Sequence, residues 1–400
     1  MSRTSPWLLG VSALLATACG GVAQSPDSPV RSTDPELRRM GEALLVDLAE
    51  RSGLEIRAPV VLETRSREQL VRYLEAKLDE ELPADEARAT TDAYALLGLV
   101  PDTLDLRALL LDLYTEQVAG FYDPDSTALF VLDDQPTEAL QGLLVHELVH
   151  AVQDQNADLD ALTDRDLDND RQTAAQAAIE GHATLVMLDY MAEQITGTRL
   201  DMAALPDFAG PALQQALAGM AQYPSLSGAP PLIQQGLLFP YLEGAGYVQE
   251  LWRRSGRVAP FGELLPVSTE QVLARGRDDE PVRLEVSVEG AVLVEDDDLG
   301  RMESGLLLRT HVAEDADGLA DGWGGDRWAL VEVDGRRGLA WISVWDDRAS
   351  RDRFVQALAG ALSGFPRGTT LDAVDVDGLP GALLRVGLPE AVRVQARVIG

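Results

Sequence analysis

Two residue patterns thirty positions apart dictate how this chain must pack. His146, Glu147 and His150 stand as H-E-x-x-H within "LLVHELVHAVQDQ", and "AAIEGHATLVM" carries Glu180 and His182. Helical periodicity covers roughly Thr137 to Gln155 and, after an acidic stretch, Arg171 to Ile195. Residues four apart on a helix share a face one turn apart, so His146 and His150 can offer two imidazoles to one cation. The chain has 4 histidines, and two of them sit here. Composition alone yields this pentad roughly 0.003 times in a chain of this length, which favours a site over an amphipathic helix with two half-exposed histidines.

A catalytic zinc keeps three protein ligands and one open position, so a third ligand is required. A continuation H-x-x-G-x-x-H would need glycine at 153 and histidine at 156, where this chain has Gln153 and Asn156. Glu180 is the favoured third ligand, giving a His₂Glu set on two helices. His182 competes, but two helical steps rotate a side chain by about 200°, so only one of the pair can face the metal. Glu147, one step from His146, sits beside the ligands and can take a proton from water. By spacing, Asp154 and Thr184 are candidates to hydrogen-bond the ligands and orient them.

The rest of the chain reads as mixed α+β. A helix with Leu37, Met40, Leu44, Leu45 and Leu48 on one side is followed by the strand "LEIRAPVVLETR" and a helix capped by Ser66. Two further helices end near Gly98 and Gly120, and "FYDPDSTALFVLDD" reads as a hairpin whose second strand is Ala128 to Leu132. "NADLDALTDRDLDND" reads as a surface loop, and "YPSLSGAPPLIQQGLLFPYLEGAGYV" as loop and helix. The expected organisation is a signal segment over 1–19, a Gly/Ser/Pro-rich tether over 20–35, a mainly helical domain over 36–280 and a smaller α+β region over 281–400. Four of the 6 tryptophans fall in that last region, either filling its core or binding peptide or glycan. His311 reads as an isolated surface residue.

A net charge of −33 makes nucleic acid an improbable partner, since neutralising phosphates needs positive surface. Cys19 is the single cysteine, so no intrachain disulfide forms. It follows Arg3 and an apolar run, Trp7 to Ala18, too short to anchor a bilayer span. The ending "LLATACG" resembles a bacterial lipobox. The expectation is a protein lipidated at Cys19, extracytoplasmic and held to the membrane by that lipid alone, at the outer membrane if the cell has one.

"EQVAGFYDPDSTALFVL", "HELVHAVQDQ" and "AIEGHATLV", with "PVSTEQVL" and "GWGGDRWAL" downstream, together resemble a family of bacterial secreted and lipoprotein-type HExxH zinc metallopeptidases of the gluzincin type. The match covers most of residues 100 to 345. The resemblance implies a zincin-like core with one zinc per chain, Glu147 as general base, and an edge strand at Ala128–Leu132 that pairs with a peptide substrate. Members commonly read E-G-D-A where this chain has E-G-H-A, and often carry a histidine where this chain has Ala274. Tyr241 and Tyr247 are the candidate replacements if that histidine served the oxyanion. The expected function is peptide-bond hydrolysis by a lipid-anchored zinc metallopeptidase. The alternative is a non-catalytic surface lipoprotein whose metal site is vestigial or structural.

Overall fold

The computed structural model describes residues 28–206, 223–276, 280–312 and 316–399. Cys19, the expected signal segment and the first half of the expected tether, 20–27, lie outside the described residues. The first half runs β1 (Val30–Arg31), α1 (Pro35–Ser52), β2 (Val60–Arg65), α2 (Arg67–Glu81), α3 (Ala84–Leu96), α4 (Leu106–Gln117), β3 (Gly120–Asp123), β4 (Ala128–Leu132), α5 (Thr137–Asp154), α6 (Leu159–Leu162) and α7 (Asn169–Thr196). Then come α8 (Pro224–Gly228), α9 (Pro231–Ser255) and α10 (Thr269–Leu273). The second half runs β5 (Leu284–Glu289), β6 (Val292–Asp297), α11 (Gly300–His311), α12 (Ala316–Leu319), β7 (Trp323–Val333), β8 (Arg336–Trp345), α13 (Arg348–Gly360), β9 (Thr370–Val376), β10 (Leu379–Val386) and β11 (Arg393–Val398). The fold is α+β, as composition and periodicity indicate.

The first sheet has the order β1-β2-β4-β3, parallel except for β3, which pairs antiparallel with β4. This corrects the expected edge. Ala128–Leu132 lies inside the sheet with all five residues buried, and the outermost strand beside it is Gly120–Asp123. The sequence carries the reason: "ALFVL" is apolar throughout, the pattern of a strand covered on both faces. Leu129 and Val131 on β4 and Val60 and Leu62 on β2 pack with Leu144, Val145, Leu148, Val149 and Val152 of α5 and with Leu44, Leu45 and Leu48 of α1. Those apolar positions commit one side of α5 to the sheet, which leaves His146 and His150 facing the other way. Ser66 caps α2 in a reciprocal capping box with Gln69, as its position predicts.

In the second half, β6-β7-β8-β10-β9 form an antiparallel sheet, and β5 pairs with β11. Residues alternate across it with period two. Trp341 and Trp345 meet Phe354 of α13 with ring centroids 5.8 and 4.6 Å apart, while Ala340, Ile342 and Val344 face Leu284 of β5. Trp323, Trp328, Trp341 and Trp345 are all buried, so these tryptophans are core and offer no exposed aromatic face for a ligand.

The change of sequence character at 280 does not divide the apolar core. Leu78, Leu97, Leu110 and Leu113 from α2 to α4 share one cluster with Leu307, Trp323, Trp341 and Phe354. The acidic stretch expected as a surface loop ends instead in a buried joint. Asn169 and Asp170 begin α7 and are buried, their N–H groups donating to Asp297 Oδ1 at 3.0 Å and Asp298 Oδ1 at 2.8 Å. Asp326 takes four donors: Leu299 N at 2.9 Å, Gly300 N at 3.0 Å, Trp323 Nε1 at 3.2 Å and Trp341 Nε1 at 2.7 Å. Helix N-termini present unpaired N–H groups and favour negative charge, which explains why carboxylates fill this seam. His311, expected at the surface, is half-buried; its ring stacks on Phe365 at 3.9 Å and its Nε2 donates to Leu97 O at 2.8 Å.

Candidate metal centre

The centre lies between α5, α7 and α9, with β3 along its side. Two glycines set the approach of α9 to α7. A Cβ on Gly181 would overlap the Gly244 backbone, and one on Gly244 would overlap the Ala177 carbonyl, so the helices touch main chain to main chain. That contact brings Tyr241 to the residue preceding Gly181. Tyr241 is exposed overall, yet its ring lies 6.0 Å from that of His146, and the charge of nearby Glu180 raises its phenol. The "EG" of the second pattern is therefore a carboxylate that faces the two histidines, followed by a close-packing position.

His146 Nε2, His150 Nε2 and Glu180 Oε2 converge as the residues that could hold a metal ion. The two nitrogens are 3.0 Å apart, and they lie 3.1 and 3.3 Å from the carboxylate oxygen. Tetrahedral bonds of about 2.0–2.1 Å place neighbouring ligand atoms roughly 3.3 Å apart, so the triangle is near the required size. Three electron-rich atoms this close need a proton or a cation among them. Without a metal, that demand appears in the titration of the groups. Burial disfavours charge on His150, but Glu180 outweighs it and pushes the imidazole up to about 9. Burial likewise raises Glu180, yet His150 and His146 hold its carboxyl well below the usual carboxylate range. The donors present thus fit a small, hard-to-borderline divalent ion with one position left open.

Glu147 is off this triangle. Its Oε2 accepts the Tyr122 N–H at 2.9 Å, and burial raises its pKa against the pull of His146 and His150. Asp154, seven residues further on the same face of α5, does not touch a ligand histidine. It accepts the Tyr122 hydroxyl at 2.8 Å and the Leu159 N–H at 3.3 Å. Thr184 does not orient Glu180 either: its buried Oγ1 has no hydrogen-bond partner among the described residues. Tyr247 is also displaced from the expected role, donating to Leu264 O at 2.7 Å. Ala274 lines a separate cavity of about 900 Å³ beside Glu243, Gln271 and Met302, with none of the four motif residues in its wall.

His182 is fully buried and is not in the triangle, in line with the choice of Glu180 over it. Its Nε2 bonds Ser52 O at 3.1 Å and its Nδ1 meets Gln153 Nε2 at 3.1 Å. Burial pushes this imidazole down to about 4, so it is neutral at ordinary pH. Gln153 itself went unnoticed in the sequence. It follows His150 by three, is fully buried, and its Oε1 takes His150 Nδ1 at 2.8 Å. Its spacing is the signal: one helical turn after a ligand, on the same face. Tyr114 of α4 was also missed. Its phenol is raised by burial and by the charges of Glu81 and Glu180.

Among known families, one named only as a domain of unknown function, DUF8575, matches residues 289–387. That span holds the second sheet from β6 to β10 and α11 to α13, and none of the metal-centre residues. No curated protein and no solved structure matches the chain.

Proposed function

We propose that this chain is a zinc-dependent peptidase, lipid-anchored through Cys19 outside the cytoplasm, with a zincin-like core and Glu147 as its general base. The observation that carries the reading is the convergence of His146, His150 and Glu180 with Glu147 beside them. The sheet order adds support. Phe121 stands opposite Phe130 and Leu132 N donates to Ala119 O, so Gly120 and Tyr122 turn their main-chain groups away from β4, toward the side an extended peptide would occupy.

His146, His150 and Glu180 would hold the ion, which when bound supplies Lewis acidity toward a carbonyl oxygen and a water. Glu147 takes the proton from the attacking water and returns it to the leaving amine nitrogen. Its hydrogen bond from Tyr122 N–H holds the carboxylate in place without consuming both oxygens. The raised affinity of Glu147 for a proton suits a group that must accept one. Tyr241, close to His146 and Glu180, is positioned to donate to the developing oxyanion, the task for which Tyr247 is misplaced.

The test is paired: metal content and cleavage of a mixed peptide library, for wild type and Glu147→Gln. Zinc in both with cleavage only by wild type is expected. Zinc without cleavage in wild type would favour the non-catalytic surface lipoprotein.

A further inference from the structure

The hydrogen bonds behind His150 assign every proton in a line of four groups. The end of Gln153 that lies 3.0 Å from Ile179 O must be its nitrogen, because a carbonyl oxygen only accepts. The second hydrogen of that nitrogen points at His182 Nδ1, 3.1 Å away, so Nδ1 is the bare nitrogen of that ring. His182 Nε2 then carries the proton and donates it to Ser52 O at 3.1 Å. Trp252 and Phe261 stand nearly perpendicular to the imidazole, with ring centroids at 6.2 and 6.3 Å. With Gln153 so oriented, its Oε1 can only accept, and His150 must keep a proton on Nδ1. The nitrogen left to face a metal is Nε2, the one beside His146 and Glu180.

We propose that Ser52 O, His182 and Gln153 form a positioning relay that fixes which nitrogen of His150 binds metal. Its purpose rests on the metal-centre reading above; its hydrogen bonds do not. An ordinary buried polar network would need only satisfied partners. This one has a direction, because each donor is forced by an acceptor-only carbonyl at its far end. Groups that hold a ligand imidazole through its other N–H typically change metal affinity about 10–100-fold when removed. Here the residue two steps from the metal, His182, contributes through Gln153 and touches neither metal nor substrate.

The test uses the full chain labelled with ¹⁵N-histidine, whose 4 imidazoles can be resolved individually. Long-range ¹H–¹⁵N correlation, with and without Zn²⁺, should show His182 protonated on Nε2 only. His150 should keep its Nδ1 proton in both forms, and added Zn²⁺ should shift its Nε2 resonance while leaving Nδ1 protonated. Competition with a chromophoric chelator should show Gln153→Leu weakening Zn²⁺ binding by about 10–100-fold. Gln153→Glu, which can no longer donate, should force a proton onto His182 Nδ1. His182→Asn, whose Oδ1 stands as many bonds from the backbone as Nδ1 does, should recover most of the affinity that His182→Leu loses. A proton on His182 Nδ1 in wild type overturns the relay, as does a folded Gln153→Leu chain with unchanged Zn²⁺ affinity. Wild type that takes up no Zn²⁺ overturns the metal-centre reading instead, and the wild-type His182 pattern still decides the relay.

Discussion

Tyr122 grips α5 at two points: its N–H donates to Glu147 Oε2 at 2.9 Å and its hydroxyl to Asp154 Oδ2 at 2.8 Å. The outermost strand is thereby tied to the helix that carries Glu147. Glu147→Gln keeps an oxygen for that N–H, so the fold and the metal should be retained while hydrolysis drops by about 10²–10⁴-fold, the usual worth of a general base. Equal zinc content with undiminished turnover would remove Glu147 from the chemistry.

Tyr241→Phe deletes the hydroxyl beside Glu180 and leaves the ring against His146. Loss of one oxyanion donor costs about 10²–10³-fold in kcat. The decrease should fall on kcat rather than KM, with zinc content unaltered. A change confined to KM would make Tyr241 a wall of the cleft and nothing more.

Metal removal should be visible in stability. A ligand that binds only the folded chain adds about 2.7 kcal/mol at a free concentration 100 times its dissociation constant. Urea midpoints should therefore fall when zinc is replaced by a chelator. Glu180→Gln, which removes the one charged ligand of the triangle, should shrink that difference. An identical difference in both chains would place the bound metal elsewhere.

Gly181→Ala should be among the most damaging single changes in the helical half. The added methyl meets Gly244 backbone, which cannot rotate aside. Overpacking typically costs about 1–3 kcal/mol, and rigid main chain places this site at the upper end. The same substitution at Gly142, where a Cβ meets nothing within 4 Å, is the control and should be neutral or slightly stabilising. Both are read from denaturant midpoints.

The acids at the joint predict an unusual pH dependence. Burial raises Asp170 and Asp297 to about 7 and Asp326 to about 6, from an ordinary 3.8. Between those values the folded chain binds more protons than the unfolded one, so stability falls as pH rises through that window. The urea midpoint should be lower at pH 8 than at pH 5. Asp297→Asn, which still accepts from Asn169 and Asp298 but cannot ionise, should flatten the trend. A midpoint that rises with pH in wild type would show that these carboxylates are not held neutral.

The sequence revealed the parts of this molecule that repeat locally. Helical spacing located α5 and α7, rotation separated Glu180 from His182, and Ser66 with Gln69 marked the start of α2. What it hid depends on partners far along the chain. Asp154 is spaced to serve His150, but the Tyr122 hydroxyl claims it from 32 residues away. The strand order could not be read because pairing is non-local, and the expectation of an edge at Ala128–Leu132 passes over its unbroken apolar run, which is the pattern of an interior strand. The acidic run before α7 looked solvated because its partners, Asp297 and Asp298 with their helix-end neighbours, lie more than a hundred residues on.

That joint has a bearing on how the chain can be cut. Glu180 sits on a helix whose first N–H groups are held by Asp297 and Asp298 from the far half. A shortened chain ending near 280, the natural place to trim by sequence character, would leave the start of α7 uncapped. It would also strip Trp323, Trp341 and Phe354 from the leucines of α3 and α4. The second half serves as the foundation in which the helix of Glu180 is set, and an excised first half is expected to lose the alignment of Glu180 before anything in the cleft is altered.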